Sequence, residues 1–145
     1  MIDRREPPVR WGRGLVAVVL LFASLDWVGW ATGIELLTRF RQEWPQMTPW
    51  TALWLAALGL AILMQSGAPS PGRAGAGRGL AAAVGLVAAG VLVEYATGRS
   101  FGFDGLWFGN AVRESQATWP GRPSPQTAIS TVLLSVAVGI PLTGG

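Results

Sequence analysis

Thr48-Pro49-Trp50-Thr51-Ala52-Leu53 and Ser124-Pro125-Gln126-Thr127-Ala128-Ile129 decide the reading of this chain, because they are one pattern written twice. Each is a hydroxyl residue, a proline, one free position, then Thr-Ala and an aliphatic side chain, and each opens an apolar run. A Ser or Thr oxygen accepts from the free N–H groups of a helix's first turn. Proline suits the first helical position, since its missing N–H had no intrahelical partner there and its φ is already helical. Both stretches therefore predict rigid helix starts, at Thr48-Pro49 and at Ser124-Pro125. The likeness extends backwards. Trp30-Ala31-Thr32-Gly33 ends one apolar run as Tyr95-Ala96-Thr97-Gly98 ends another. The repeated unit is an apolar helix, a polar excursion, a capped start and a second apolar helix. It predicts an all-α membrane protein of four transmembrane helices, laid out as two tandem helical hairpins with short interfacial helices in the outer loops.

Composition supports that reading. Half of the 145 residues are hydrophobic and only 13% are charged, against about 25% in a typical soluble domain. The chain has no Cys, His or Lys, and all eleven of its basic residues are Arg. That leaves no disulfide framework, no thiolate or imidazole metal site, no His-based general base and no P-loop lysine. The expectation is no cofactor, no metal and no catalytic residue. A net charge of +3, spread along the chain, does not suit a nucleic-acid partner.

Residues 1–13 read as a polar cytoplasmic arm, with Arg4, Arg5, Arg10 and Arg13 around Pro7-Pro8. The first hairpin spans 14–65. Its opening run, Gly14 to Ile34, is long enough at about 1.5 Å per residue to cross a hydrocarbon core of about 30 Å. A basic start before an apolar run also suits a signal peptide, but the length of the run and the Asp26, Trp27 and Trp30 within it favour retention. Between Glu35 and Thr48, the residues Leu36, Leu37, Phe40 and Trp44 recur at helical spacing, which predicts a short amphipathic helix at the interface. The second run, Trp50 to Gln65, covers only about 24 Å. Residues 66–78 are rich in Gly, Ala and Pro and read as a flexible cytoplasmic linker. Its alternating glycines follow no strand, so a phosphate-binding loop is excluded. The second hairpin spans 79–145. Its first run, Gly79 to Tyr95, is rich in Ala and Gly, the composition of a helix at the centre of a membrane bundle. Its last run is Thr127 to Leu142.

The arginines orient the chain. Six lie in the N-terminal arm and the 66–78 segment against two acids, a net of +4. Five lie in the two excursions against four acids, a net of +1. Positive-inside places both termini and the Gly-rich segment in the cytoplasm, and gathers Trp44, Trp50, Trp107 and Trp119 on the outer side as an aromatic belt.

Asp26 and Glu94 stand within apolar runs. An acid at bilayer depth costs about 2.5–3.5 kcal/mol on insertion scales, so such residues usually face the bundle interior with a partner. One reading is a polar pocket opening outward, built from Asp26, Glu94 and Arg122 with Thr51 and Thr127 nearby and Asp104 as a further candidate. The alternative is that Asp26 is protonated or bonded to a neighbouring helix, and that Glu94 reaches the interface. Thr51 and Thr127 either line a site or bond back into their own first turns. The segment Gly102-Phe103-Asp104-Gly105-Leu106-Trp107-Phe108 is too apolar for a solvated loop and too short to cross. It is expected to fold against the outer face of the bundle.

At these residues the chain resembles the multi-pass N-terminal membrane region found ahead of the output domains of bacterial sensor histidine kinases, diguanylate cyclases and related signalling phosphatases. The likeness rests on Met47-Thr48-Pro49-Trp50-Thr51-Ala52-Leu53, Glu94-Tyr95, Gly102 to Phe108, and Pro120-Gly121-Arg122-Pro123-Ser124-Pro125-Gln126-Thr127-Ala128, and it covers roughly residues 14–142. In that family Asn usually precedes the Thr, where this chain has Trp50 and Gln126. The resemblance implies an input module in the bacterial inner membrane, working through a cytoplasmic output domain or partner protein, with a homodimer among the assemblies it allows. Two other readings fit the same residues. One is a small accessory subunit packed in a larger membrane complex. The weaker is a transporter built from repeats, which the shared orientation of the repeats disfavours.

Overall fold

The computed structural model describes residues 6–39, 41, 43–66, 70–115 and 119–140, the side chains of 6–10 and 115 apart. Among these residues the chain is all-helical: α1 (Glu6–Thr32), α2 (Glu35–Thr38), α3 (Pro49–Gln65), α4 (Pro71–Thr97), α5 (Gly109–Ser115) and α6 (Pro125–Gly139). Two helical stretches, Trp11–Thr32 and Pro71–Thr97, are long and apolar enough to cross a bilayer, while α3 and α6 are shorter apolar helices.

Both doubled helix starts form as their sequence requires. The Thr48 side chain accepts from the Thr51 N–H at 3.4 Å, and the Ser124 side chain from the Thr127 N–H at 3.2 Å. Pro49 and Pro125 occupy the first turns behind them.

The long helices pack in chain order, α1 on α3, α3 on α4 and α4 on α6, with α3 also touching α6. Hydrogen bonds fix their directions. The Arg13 guanidinium donates to the Ser66 carbonyl at 2.7 Å, so α1 and α3 run antiparallel. The Tyr95 hydroxyl donates to the Pro123 carbonyl at 3.2 Å, joining the end of α4 to the start of α6. At the opposite end the Gln65 amide donates to the Val138 carbonyl at 3.2 Å, so α3 and α6 end together. The core is Trp54, Leu58, Ala61, Ala81, Val84, Ala88, Val91 and Ala128. Small residues let its helices approach: a Cβ on Gly77 would lie 2.8 Å from the Ala61 carbonyl oxygen, and one on Gly85 would lie 2.9 Å from Ser135 Cβ.

Three expectations are corrected. The segment expected to be a flexible linker is helical from Pro71 onwards. Glycine disfavours a helix by about 1 kcal/mol per residue relative to Ala, but at Gly77 the absence of a side chain is what allows α4 to pack closely on α3. Arg73 also reaches the Leu63 carbonyl at 3.4 Å, so with Arg13 two guanidinium groups satisfy the last carbonyls of α3, the usual need of a helix C-terminus. The polar arm is likewise helical from Glu6, because prolines at the start of a helix remove no intrahelical bond; residues 1–5 lie outside the described residues. The interfacial helix after Glu35 is cut to four residues. Arg39 is extended, the Met47 N–H bonds back to the Thr38 carbonyl at 3.1 Å, and Pro45 discourages helix at Trp44 before it. Phe40, part of the expected spacing, lies outside the described residues.

Candidate functional site

The residues with chemistry gather at the end of the bundle that holds both doubled helix starts. Glu94 lies in the last turn of α4, and Gly98 ends that helix in the left-handed conformation at φ 65°. The chain then folds back over the helix end, and the Phe101 N–H donates to the Glu94 carboxylate. Ser100 continues the return, taking the Gly102 N–H at 3.1 Å and donating to Asp104 Oδ2 at 3.0 Å.

Arg122 closes this loop from the other side. Its Nε lies 3.1 Å from Asp104 Oδ1 and its Nη2 lies 2.7 Å from Asp104 Oδ2, a two-pronged pair that suits the planar guanidinium fork. The same Nε lies 3.4 Å from Glu94 Oε2. Hydrogen bonding to Asp104 holds the Arg122 pKa above its already high ordinary value. The guanidinium carbon sits 4.3 Å from the Trp119 ring and 5.2 Å from the Tyr95 ring, so aromatic faces cover charge that the carboxylates leave. Glu94 is 0% exposed and Arg122 4%. Gly121 makes the approach possible. It stands at φ 79°, and a Cβ there would fall 2.0 Å from the Asp104 carbonyl oxygen.

Beyond Asp104 the excursion lies over the first half of the bundle. Trp107 and Phe108 pack on Trp27 with ring centroids 5.3 and 5.2 Å away, and Phe103 and Trp107 both meet Trp50 at 6.2 Å. The Trp50 indole N–H donates to the Phe103 carbonyl at 2.8 Å. The segment thus folds against the bundle end, with Phe108 held at φ 52°, a left-handed conformation uncommon for a bulky residue.

The expected pocket of Asp26, Glu94 and Arg122 does not form as one group. Glu94 and Arg122 are joined through Asp104, and Asp26 stands apart. Asp26 is 1% exposed, and neither of its carboxyl oxygens has a hydrogen-bond partner among the described residues. The Trp27 and Trp30 indoles beside it donate to the carbonyls of Pro49 at 3.2 Å and Met47 at 2.9 Å. These bonds set Asp26 at the level of the first turn of α3.

Thr51 and Thr127 bond back into their own first turns. Each hydroxyl lies 2.9 Å from the capping oxygen of its own helix, Thr48 or Ser124. All four residues also line one cleft of about 350 Å³, which Phe22 and Trp44 wall on its apolar side. A second cleft, of about 390 Å³, is lined by Trp30, Glu35, Arg39 and Glu114 among others. Asp26, Glu94 and Arg122 line neither. Among the described residues no group of three or more His, Cys, Asp or Glu could hold a metal ion.

Sequence reasoning did not find Ser100, Tyr95 and Trp119 as parts of the Arg122 surroundings. The available signal was the lone acid in an aromatic, glycine-rich segment, which needs a cation, and the Arg in the turn that returns to it. No family model, curated protein or solved structure matches the chain.

Proposed function

We propose that this chain is the membrane input module of a bacterial signalling protein, with four crossings, both termini in the cytoplasm, and the Glu94–Arg122 end outside. Three features support the membrane reading. In each long apolar helix only 28% of the most apolar stretch is buried within the chain, where a soluble core helix would be mostly covered. Their uncovered side chains include Leu15, Leu21 and Leu86, and Leu133 on the shorter α6 is uncovered too, as lipid contact requires. Arg13 and Arg73 meet at the end opposite the aromatic cluster, in keeping with positive-inside orientation.

The observation that carries the sensory reading is the cleft shared by Thr48, Thr51, Ser124 and Thr127. A ligand seated there touches the starts of α3 and α6 at once, and α6 runs from that cleft to the far end of the bundle. Differential binding to two arrangements of those helices would shift the balance between them. That is what an input module needs.

The test has two stages, and the Cys-free sequence makes single-cysteine labels clean. With an impermeant maleimide on intact bacterial spheroplasts, Gly105→Cys is expected to label and Gly72→Cys to stay protected until the membrane is opened. Labelling of both from outside ends the four-crossing layout. The chain is then placed ahead of a cytoplasmic reporter that reads helix position. Filling the cleft with Thr51→Phe or Thr127→Phe is expected to fix the output, while Leu86→Phe on an uncovered face leaves it unchanged. An output indifferent to all three removes the sensory reading.

A second reading, a non-catalytic subunit within a larger membrane complex, is favoured by the bare face of α4. Nothing lies within 4 Å of where a Cβ would stand on Gly72, Gly75 or Gly79, and such surfaces suit close helix contact.

A further inference from the structure

We infer that residues 99–109 form a strap that opens and closes over the bundle end, with the Glu94–Arg122–Asp104 group as its lock. The strap begins at one left-handed glycine, Gly98 at φ 65°, and carries a second, Gly102 at φ 86°. Its inner face is aromatic, with Phe103 and Trp107 on Trp50, and Trp107 and Phe108 on Trp27. Besides the Trp50 indole bond to the Phe103 carbonyl at 2.8 Å, its tertiary holds among the described residues are of two kinds. One is ring packing on α1 and α3; the other is the set of bonds that ends on Glu94 or Arg122.

The closed arrangement works against itself. Phe108 is held in a left-handed conformation, which bulky residues adopt only under constraint. The Trp107 indole nitrogen and Arg122 Nη1 are buried without hydrogen-bond partners among the described residues, and each would gain water on opening. Against these stands the lock. Arg122 neutralises Asp104 on the strap and Glu94 on α4 together, with no exposed area on either its own side chain or that of Glu94. Segments held by few contacts against local strain are the ones that open below the global unfolding energy. Arg122 also precedes Pro123 and Ser124, the N-cap of α6, by one and two positions. Opening the strap therefore frees the start of α6 as well as uncovering Trp50. This holds whether or not the chain is a sensor.

Amide hydrogen exchange of the full chain in lipid nanodiscs tests it, read by peptide mass across 99–109, α3 and α4. In the Arg122→Gln variant, exchange of the 99–109 peptide is expected to speed by about a hundredfold, the scale of losing one partner of a buried ion pair. Peptides of α3 and α4 keep their wild-type rates. Gly121→Ala retains every charge but drives a Cβ into Asp104, and should open the strap likewise. Arg122→Lys, which keeps the charge without the fork, falls between wild type and Gln. If 99–109 exchanges at the wild-type rate in both Arg122→Gln and Gly121→Ala, the strap is not held by this lock. If α3 and α4 accelerate as much as 99–109, the group stabilises the whole bundle and no separate strap exists.

Discussion

Asp26 and Glu94 are both acids in membrane-type helices, both withdrawn from solvent, and otherwise opposites. Glu94 receives the Phe101 N–H and faces Arg122, which in turn holds Asp104. Asp26 has no bonded neighbour on either oxygen among the described residues. Burial alone is therefore not informative about role. A buried charge with a fitted counter-ion fixes two chain segments against each other; a buried acid left without one contributes nothing to holding its helix and stays costly unless neutral. The contrast sets a Glu94 tied into two chain segments against an Asp26 tied into none.

The contrast can be broken at its strongest point first. Arg122→Ala leaves the buried Glu94 and the half-buried Asp104 with no counter-ion, and amide exchange of residues 99–109 in lipid nanodiscs should show their closed arrangement weakened by about 3–5 kcal/mol. A loss below about 1 kcal/mol would mean that water already reaches the group. Glu94→Gln keeps an acceptor for the Phe101 N–H but removes the charge facing Arg122, so the same measurement should give a smaller loss, about 1.5–3 kcal/mol. Asp26→Asn sharpens the comparison from the other side. It is expected to change stability by less than about 1 kcal/mol, or to raise it. A loss as large as that of Glu94→Gln would show that Asp26 has a partner and would erase the difference between the two acids.

What the sequence made legible follows the range of each interaction. The helix starts at Thr48 and Ser124 were readable because a cap is settled within four residues. The apolar runs were readable because transfer to lipid depends on side chains one at a time. The helical state of residues 71–78 was not, since glycine's local preference points the other way and the contact of Gly77 with α3 is made only in the folded bundle. Nor was the arrangement of the acids. Arg122 pairs with Asp104 eighteen positions away across a turn, and nothing in the spacing of Asp26, Glu94 and Arg122 says which two acids that guanidinium will choose.

The unequal lengths of the helices have a consequence for the surrounding lipid. The apolar stretch of α1 has 22 residues and that of α3 has 17, about 33 Å and about 25 Å of hydrophobic wall. Crossing as proposed, the bundle would present acyl chains with a tall flank and a low one, and the annulus around it would be tilted in thickness rather than level. Such a particle has a preferred membrane as much as a preferred shape. Its energy depends on how thick the bilayer is, before any molecule binds to it.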